Sequence, residues 1–177
     1  MNNTIALVSI GCIVDHSERK RKGQEIANSQ AAKSNLPPAQ GSPDYAALFY
    51  TQEAFWNPDF ISLDSPLPNV GIALARLDQL YETVGILTCR PDFLREATET
   101  WFRTHGLWAD QCEISYAISE TEERMDIVKL AAALHDQVLF VEPNGEIRAA
   151  VCALGLSNVI VKASLDDYID DGSPIIV

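Results

Sequence analysis

Thr4-Ile5-Ala6-Leu7-Val8-Ser9-Ile10-Gly11-Cys12-Ile13-Val14-Asp15 begins with a short apolar, β-branched run that breaks at a glycine. The pattern over 4–8 is that of a strand buried on both faces, since a half-exposed strand would alternate with polar residues. Three further runs read the same way: 86–88 (ILT), 137–141 (QVLFV) and 158–161 (NVIV). Residues 112–116 form a weaker fifth.

The segments between these runs have helical spacing. Val70, Ala73, Leu74, Leu77, Leu80, Tyr81 and Val84 recur three and four apart after Pro66 and Pro68, with Gly85 as the expected stop. Pro91 suits the first turn of the next helix, whose inner face is Leu94, Ala97, Trp101 and Phe102 and whose end is Gly106. A helix over 122–135 is expected to turn Ile127, Leu130, Ala131 and Leu134 inward, and another spans 145–154 before Gly155. Strands alternating with single helices predict an α/β fold: a three-layer, Rossmann-like parallel sheet with right-handed crossovers. Ligands of such sheets bind beyond the carboxyl ends of the strands. The candidate site is therefore 9–12, 88–90 and 142–144.

The 177 residues suit a single domain, 1–177. Residues 16–60 are polar and proline-containing and read as a flap or cap-like insertion after the first strand. It would hold a helix within 18–33 and a short aromatic helix over 45–56. Residues 163–177 form an acidic tail, with Asp166, Asp167, Asp170 and Asp171. Net charge is −12, which disfavours extensive binding to nucleic acid or to an anionic membrane. Five of the 13 basic residues (Arg19, Lys20, Arg21, Lys22 and Lys33) cluster near the start of the insertion. They read as a solvated helix face, with an anion or partner contact as the alternative.

No run reaches membrane-span length, and residues 1–8 lack the basic start of a signal peptide, so a cytoplasmic protein is expected. Cys12, Cys89, Cys112 and Cys152 show neither CxxC nor zinc spacing and read as reduced, mostly buried thiols. Cys12 and Cys89, at adjacent strand ends, would be packed thiols rather than a redox pair. Cys89 and Arg95 have the Cys-x5-Arg spacing of cysteine-dependent phosphatases, but the loop lacks glycine and Pro91 removes a donor. His16, His105 and His135 show no ligand spacing. Trp56, Trp101 and Trp108 read as core or insertion packing, with exposed aromatics over 49–60 as a possible interaction surface.

At the strand ends the sequence resembles the haloacid dehalogenase-like superfamily, and more narrowly the phosphatase domain of phage-type polynucleotide kinases, over roughly 4–15 and 61–168. The family's first strand ends in Asp-x-Asp-Gly; here the strand runs into Ser9-Ile10-Gly11-Cys12-Ile13-Val14-Asp15, and by substitution or by a one-residue deletion no carboxylate stands at the strand end. Its second motif is a Thr or Ser often followed by Gly-Arg, matched by Thr88-Cys89-Arg90. A helical lysine is matched by Lys129 within Arg124-Met125-Asp126-Ile127-Val128-Lys129, and paired acids by Glu142-Pro143-Asn144. The resemblance implies residual phosphate binding by Thr88, Arg90 and Lys129. Ser9, Gly11, Asp15 and Glu142 are then degenerate motif positions.

In the family one aspartate attacks phosphorus, the second serves as acid and base, and Mg²⁺ takes oxygen ligands from both acidic motifs. With those aspartates missing, the expectation is a catalytically degenerate protein with no catalytic residues, no metal and no cofactor. It would act as a binding, structural or assembly protein, with a protein partner or a second copy of itself. Ser9 is expected to have no base beside it. Two alternatives remain. One is an active phosphatase with a rearranged site drawing on Asp15, Glu142 and Thr88, which alone would call for Mg²⁺. The other is a sensor of phosphate or a nucleotide.

Overall fold

A computed structural model describes residues 3–33, 55–107, 112–118 and 120–169. The expectations for 45–54, Trp108, Asp170 and Asp171 lie outside them. The first strand, β1 (Thr4–Ser9), is followed by a 3-10 turn (Ile10–Cys12) and the two-residue β2 (Val14–Asp15). Helix α1 (Ser17–Lys33) and a 3-10 segment (Pro58–Leu63) precede β3 (Ser65–Pro66), which pairs antiparallel with β2. The insertion thus leaves and returns through one short ribbon, with Val14 opposite Pro66 and Asp15 opposite Ser65.

From there strands and helices alternate as the spacing predicts: α2 (Val70–Leu80), β4 (Thr83–Leu87), α3 (Arg95–Thr104), β5 (Cys112–Ser115), α4 (Thr121–Leu134), β6 (Gln137–Val141), α5 (Gly145–Cys152) and β7 (Val159–Lys162). The sheet is five-stranded, in the order β5-β4-β1-β6-β7, and every pairing in it is parallel. It is the three-layer, Rossmann-like arrangement.

Alternation along the strands builds the layers. Ala6 and Val8 of β1, with Leu139 and Val141 of β6, pack into one core with Val70, Ala73, Leu74 and Leu77 of α2 and Trp101 and Phe102 of α3. Leu7, Val138 and Phe140 point the other way, against Val128 and Ala131 of α4 and Ile147 and Val151 of α5. The chain moves outward from β1 through β4 to β5 with both helices on one face. It then returns to β6 and β7 with both helices on the other. Reversing direction and face together keeps one crossover hand, as parallel sheets require. The reversal leaves a switch point between the carboxyl ends of β1 and β6.

Three sequence expectations are corrected. Gly85 does not stop a helix; it sits inside β4, opposite Leu7, where an added Cβ would come within 3.0 Å of the Leu7 side chain. The helix ends a turn earlier at Leu80, and Tyr81 and Val84 merely continue its spacing by chance. Helix α4 buries Arg124, Val128 and Ala131, leaving Leu130 and Leu134 each 61% exposed. The cysteines divide evenly: Cys12 and Cys112 are buried, Cys89 and Cys152 exposed. Cys12 and Cys89 are therefore not two packed thiols; the Cys12 thiol donates to the Ala163 carbonyl at 3.7 Å. No helix among the described residues is long and apolar enough to cross a membrane.

Candidate functional site

Ser9 is the last residue of β1 and Glu142 the first after β6, so the register that pairs Val8 with Val141 sets their side chains at the switch point. Both are 3% exposed. The Ser9 hydroxyl donates a hydrogen bond to Glu142 Oε2. A base does stand beside Ser9, against the expectation from sequence, because neighbouring parallel strands end level with each other.

Arg124 completes the group. Its Nη1 donates to Ser9 Oγ at 2.7 Å and to Glu142 Oε2 at 2.9 Å, and its Nη2 donates to the Ile118 carbonyl at 3.1 Å. The other oxygen, Oε1, accepts the Asn144 N–H at 2.9 Å. Asn144 in turn caps α5 by accepting the Glu146 N–H. Arg148 braces the strand end from behind by donating to the carbonyls of Glu142 and Pro143, both at 2.7 Å. Beneath this set the Cys12 thiol is pushed up to about 12, by burial first and the Glu142 charge second.

The other predicted residues do not converge here. Thr88 is fully buried, and its hydroxyl accepts the Arg90 N–H at 3.1 Å. The Arg90 guanidinium reaches Asp64 at 2.6 Å and Thr98 at 3.0 Å. Lys129 lies on the exposed side of α4, paired with Asp126 at 2.8 Å. Five residues from Arg124, it sits about 140° round the helix from the buried stripe. The Ser17 side chain first and the Ser17 N–H at 2.8 Å second hold the Asp15 carboxyl below the usual range and commit it to the start of α1. Gly11 faces the loop after β6, where a Cβ would meet Pro143 at 3.1 Å. Arg95 pairs with Asp92 at 2.5 Å and stacks over Tyr116, so no Cys89–Arg95 anion cradle forms.

A second buried cluster ties the insertion to the sheet. Asp64, 3% exposed, is flanked by Arg90 and by Arg19 Nε at 3.0 Å, with His16 at 3.3 Å. Arg19 was expected on a solvated face; it is 1% exposed, with its guanidinium over the Phe55 ring at 4.1 Å. Lys20, Arg21 and Lys22 remain exposed, as that reading has it. Burial pulls Arg19 and Arg90 below the ordinary guanidinium range, and for Arg90 the neighbouring Arg19 charge adds to the effect. Two cations share one carboxylate: Arg19 Nε and Asp64 Oδ1 are paired by charge without a hydrogen bond, and Arg19 Nη1 and Arg90 Nε are left without partners.

Sequence reasoning missed Arg124 as a site residue, although 124, 128 and 131 form a helical stripe that marks it as inward-facing. Asp64 carried no local signal.

No family model matches the sequence, and no curated protein matches it. Solved structures do. A haloacid dehalogenase-like family hydrolase from Streptococcus pneumoniae superposes with a TM-score of 0.59 at 12% identity, covering 96% of this chain and 92% of that one. Protein Tyrosine Kinase A of Mycobacterium tuberculosis gives 0.59 at 15% identity, covering 99% and 92%. A candidate beta-phosphoglucomutase of Thermotoga maritima gives 0.58 at 13% identity, covering 94% and 96%. The chain therefore shares the fold of these haloacid dehalogenase-like structures.

Proposed function

We propose that this chain is a non-catalytic relative of the haloacid dehalogenase-like phosphatases that works by binding, as a structural or assembly protein. The observation that carries this reading is the closed set at the switch point. Both oxygens of Glu142 and the hydroxyl of Ser9 are engaged by groups of the protein itself. A phosphatase of this fold needs a strand-end carboxylate as nucleophile and a second acid two residues on. Those positions are Ser9 and Gly11, and the Pro143 ring leaves little room for an acid at the second.

Within this reading we take the chain to be related to the phosphatase domains of phage-type polynucleotide kinases, on the residues Thr88-Cys89-Arg90 and the stretch 124–129. The setting is the cytoplasm of a bacterial or phage-infected cell, where four free cysteines are at home. The partner is a protein or a second copy of the chain, met by the insertion 16–60 and the acidic tail. A groove of about 770 Å³ between Pro58–Leu63 and α3, with Phe93 67% exposed on its wall, supports that side of the molecule. A phosphate or nucleotide sensor has less support, since the Arg90 guanidinium is buried against Asp64 and Lys129 lies on the exposed side of α4.

The Ser9–Glu142 hydrogen bond favours one rival, a metal-independent phosphomonoesterase with Ser9 as nucleophile and Glu142 as base. Arg124 opposes it by donating into the lone pairs that attack and proton abstraction would use. The test is phosphate release from nitrophenyl phosphate and nucleotides, with Mg²⁺ and with EDTA. No release above buffer is expected. Turnover in EDTA that vanishes in Ser9→Ala would establish the rival, and turnover requiring Mg²⁺ would overturn the reading altogether.

A further inference from the structure

A carboxylate buried like Glu142 needs a cation or a full set of donors. In enzymes of this fold the cation is Mg²⁺, which demands near-octahedral oxygen ligands. The donor set here does not fit it. Among the described residues the set has one carboxylate, and its Oε1 is held by the Asn144 N–H at 2.9 Å and its Oε2 by Ser9 and Arg124. Among the described residues no group of three His, Cys, Asp or Glu side chains could hold a metal.

A guanidinium fits where the metal does not. It is planar, weakly hydrated, permanently charged and rich in donors. Arg124 Nη1 bridges Ser9 Oγ and Glu142 Oε2, while Nη2 is anchored on the Ile118 carbonyl. The Nε–H is buried without a partner, so the two Nη groups alone set the orientation. We infer that the Arg124 guanidinium is the resident cation of this cleft, making the strand-end pair Ser9–Glu142 a guanidinium receptor and not a divalent-metal site. Its readout is stability, so turnover in EDTA would overturn the proposed function and leave this inference standing, whereas turnover requiring Mg²⁺ would count against both.

It is tested by thermal denaturation of the full chain. Wild-type Tm is expected to be the same in MgCl₂ and in EDTA, and to fall slightly in millimolar guanidinium chloride. Arg124→Ala is expected to melt lower and to regain Tm saturably with millimolar guanidinium or methylguanidinium. Equal concentrations of NaCl, urea or MgCl₂ should give no recovery, and the recovery should disappear in Arg124→Ala/Glu142→Gln. Saturable stabilisation of the wild type or of Arg124→Ala by Mg²⁺ would overturn the inference. So would a folded Arg124→Ala that ignores guanidinium. Should Arg124→Ala not fold, Arg124→Lys takes its place: a lower Tm that ignores Mg²⁺ supports the inference, and Mg²⁺-dependent recovery contradicts it.

Discussion

The Arg124 and Glu142 side chains retain 9% and 4% of their exposure, so their ion pair is removed almost wholly from water. The desolvation cost of such a pair rivals its Coulombic gain, and the asymmetry shows when one member is deleted. Arg124→Met leaves the Glu142 charge buried against Ser9 and is expected to cost about 3–5 kcal/mol. Arg124→Met/Glu142→Gln removes both charges and should be more stable than Arg124→Met alone. Urea unfolding of the two singles and the double, read as a double-mutant cycle, checks this. Equal or lower stability of the double would mean that the pair is not coupled.

At this scale the sequence conveys half of the site. Ser9 and Glu142 are legible because a strand end is a local feature, marked by Gly11 and Pro143. Their contact is not legible, since it depends on which strands lie side by side. Lys129 attracts attention as a helical cation, yet only Arg124 shares the stripe of Val128 and Ala131.

Elements are held in place by a different cluster. Asp64, at the end of the insertion, is grasped by Arg19 from α1 and by Arg90 from the loop after β4. Its carbonyl also accepts the Trp101 indole N–H at 2.9 Å, which adds α3 to the contact. One residue thereby fastens both ends of the insertion to the sheet. Asp64→Asn would strand two buried guanidiniums, an expected loss of about 3–5 kcal/mol. For a chain of this length that is a Tm drop on the order of 10 °C. Hydrogen exchange should accelerate across 17–26 before it does in β1. Unchanged exchange there would show that the clamp does not hold α1.

Helices and strands were legible from spacing wherever one face is uniformly apolar, as Val70, Ala73, Leu74 and Leu77 make it in α2. They misled where apolar residues continue past an element's end, as Tyr81 and Val84 do after α2. The inner face of α4 was misread for a related reason. Leu130 and Leu134 are more apolar than Arg124, but the strand-end carboxylate draws the arginine inward and rotates the leucines out.

For the molecule as a whole, layer order followed from the alternation of strands and helices, whereas strand order depends on contacts between segments distant in sequence and was not legible. The two buried thiols give the fold a pH dependence. Cys12 and Cys112 are each pushed up to about 12, chiefly by burial, from an ordinary value of 9.0. Between these values the unfolded chain has released thiol protons that the folded chain keeps. The unfolded state then binds fewer protons, and stability must fall as pH rises through that window. The slope approaches about 1.4 kcal/mol per pH unit for each thiol. Below pH 9 this contribution is fully present. Brief alkylation of the native protein at mildly alkaline pH should modify Cys89 and Cys152 alone, read by peptide mass spectrometry, with Cys12 and Cys112 reacting only after unfolding. Rapid native labelling of Cys12 would contradict the packing beneath the site.

The switch point of this parallel sheet is closed by the chain's own arginine. The most direct measurement is a crystal structure from crystals soaked in Mg²⁺ and phosphate. The account predicts Arg124 Nη1 within hydrogen-bond distance of both Ser9 Oγ and Glu142 Oε2, with no metal between β1 and β6. A magnesium ion ligated by Glu142, with phosphate against Thr88 and Arg124 swung aside, would contradict it.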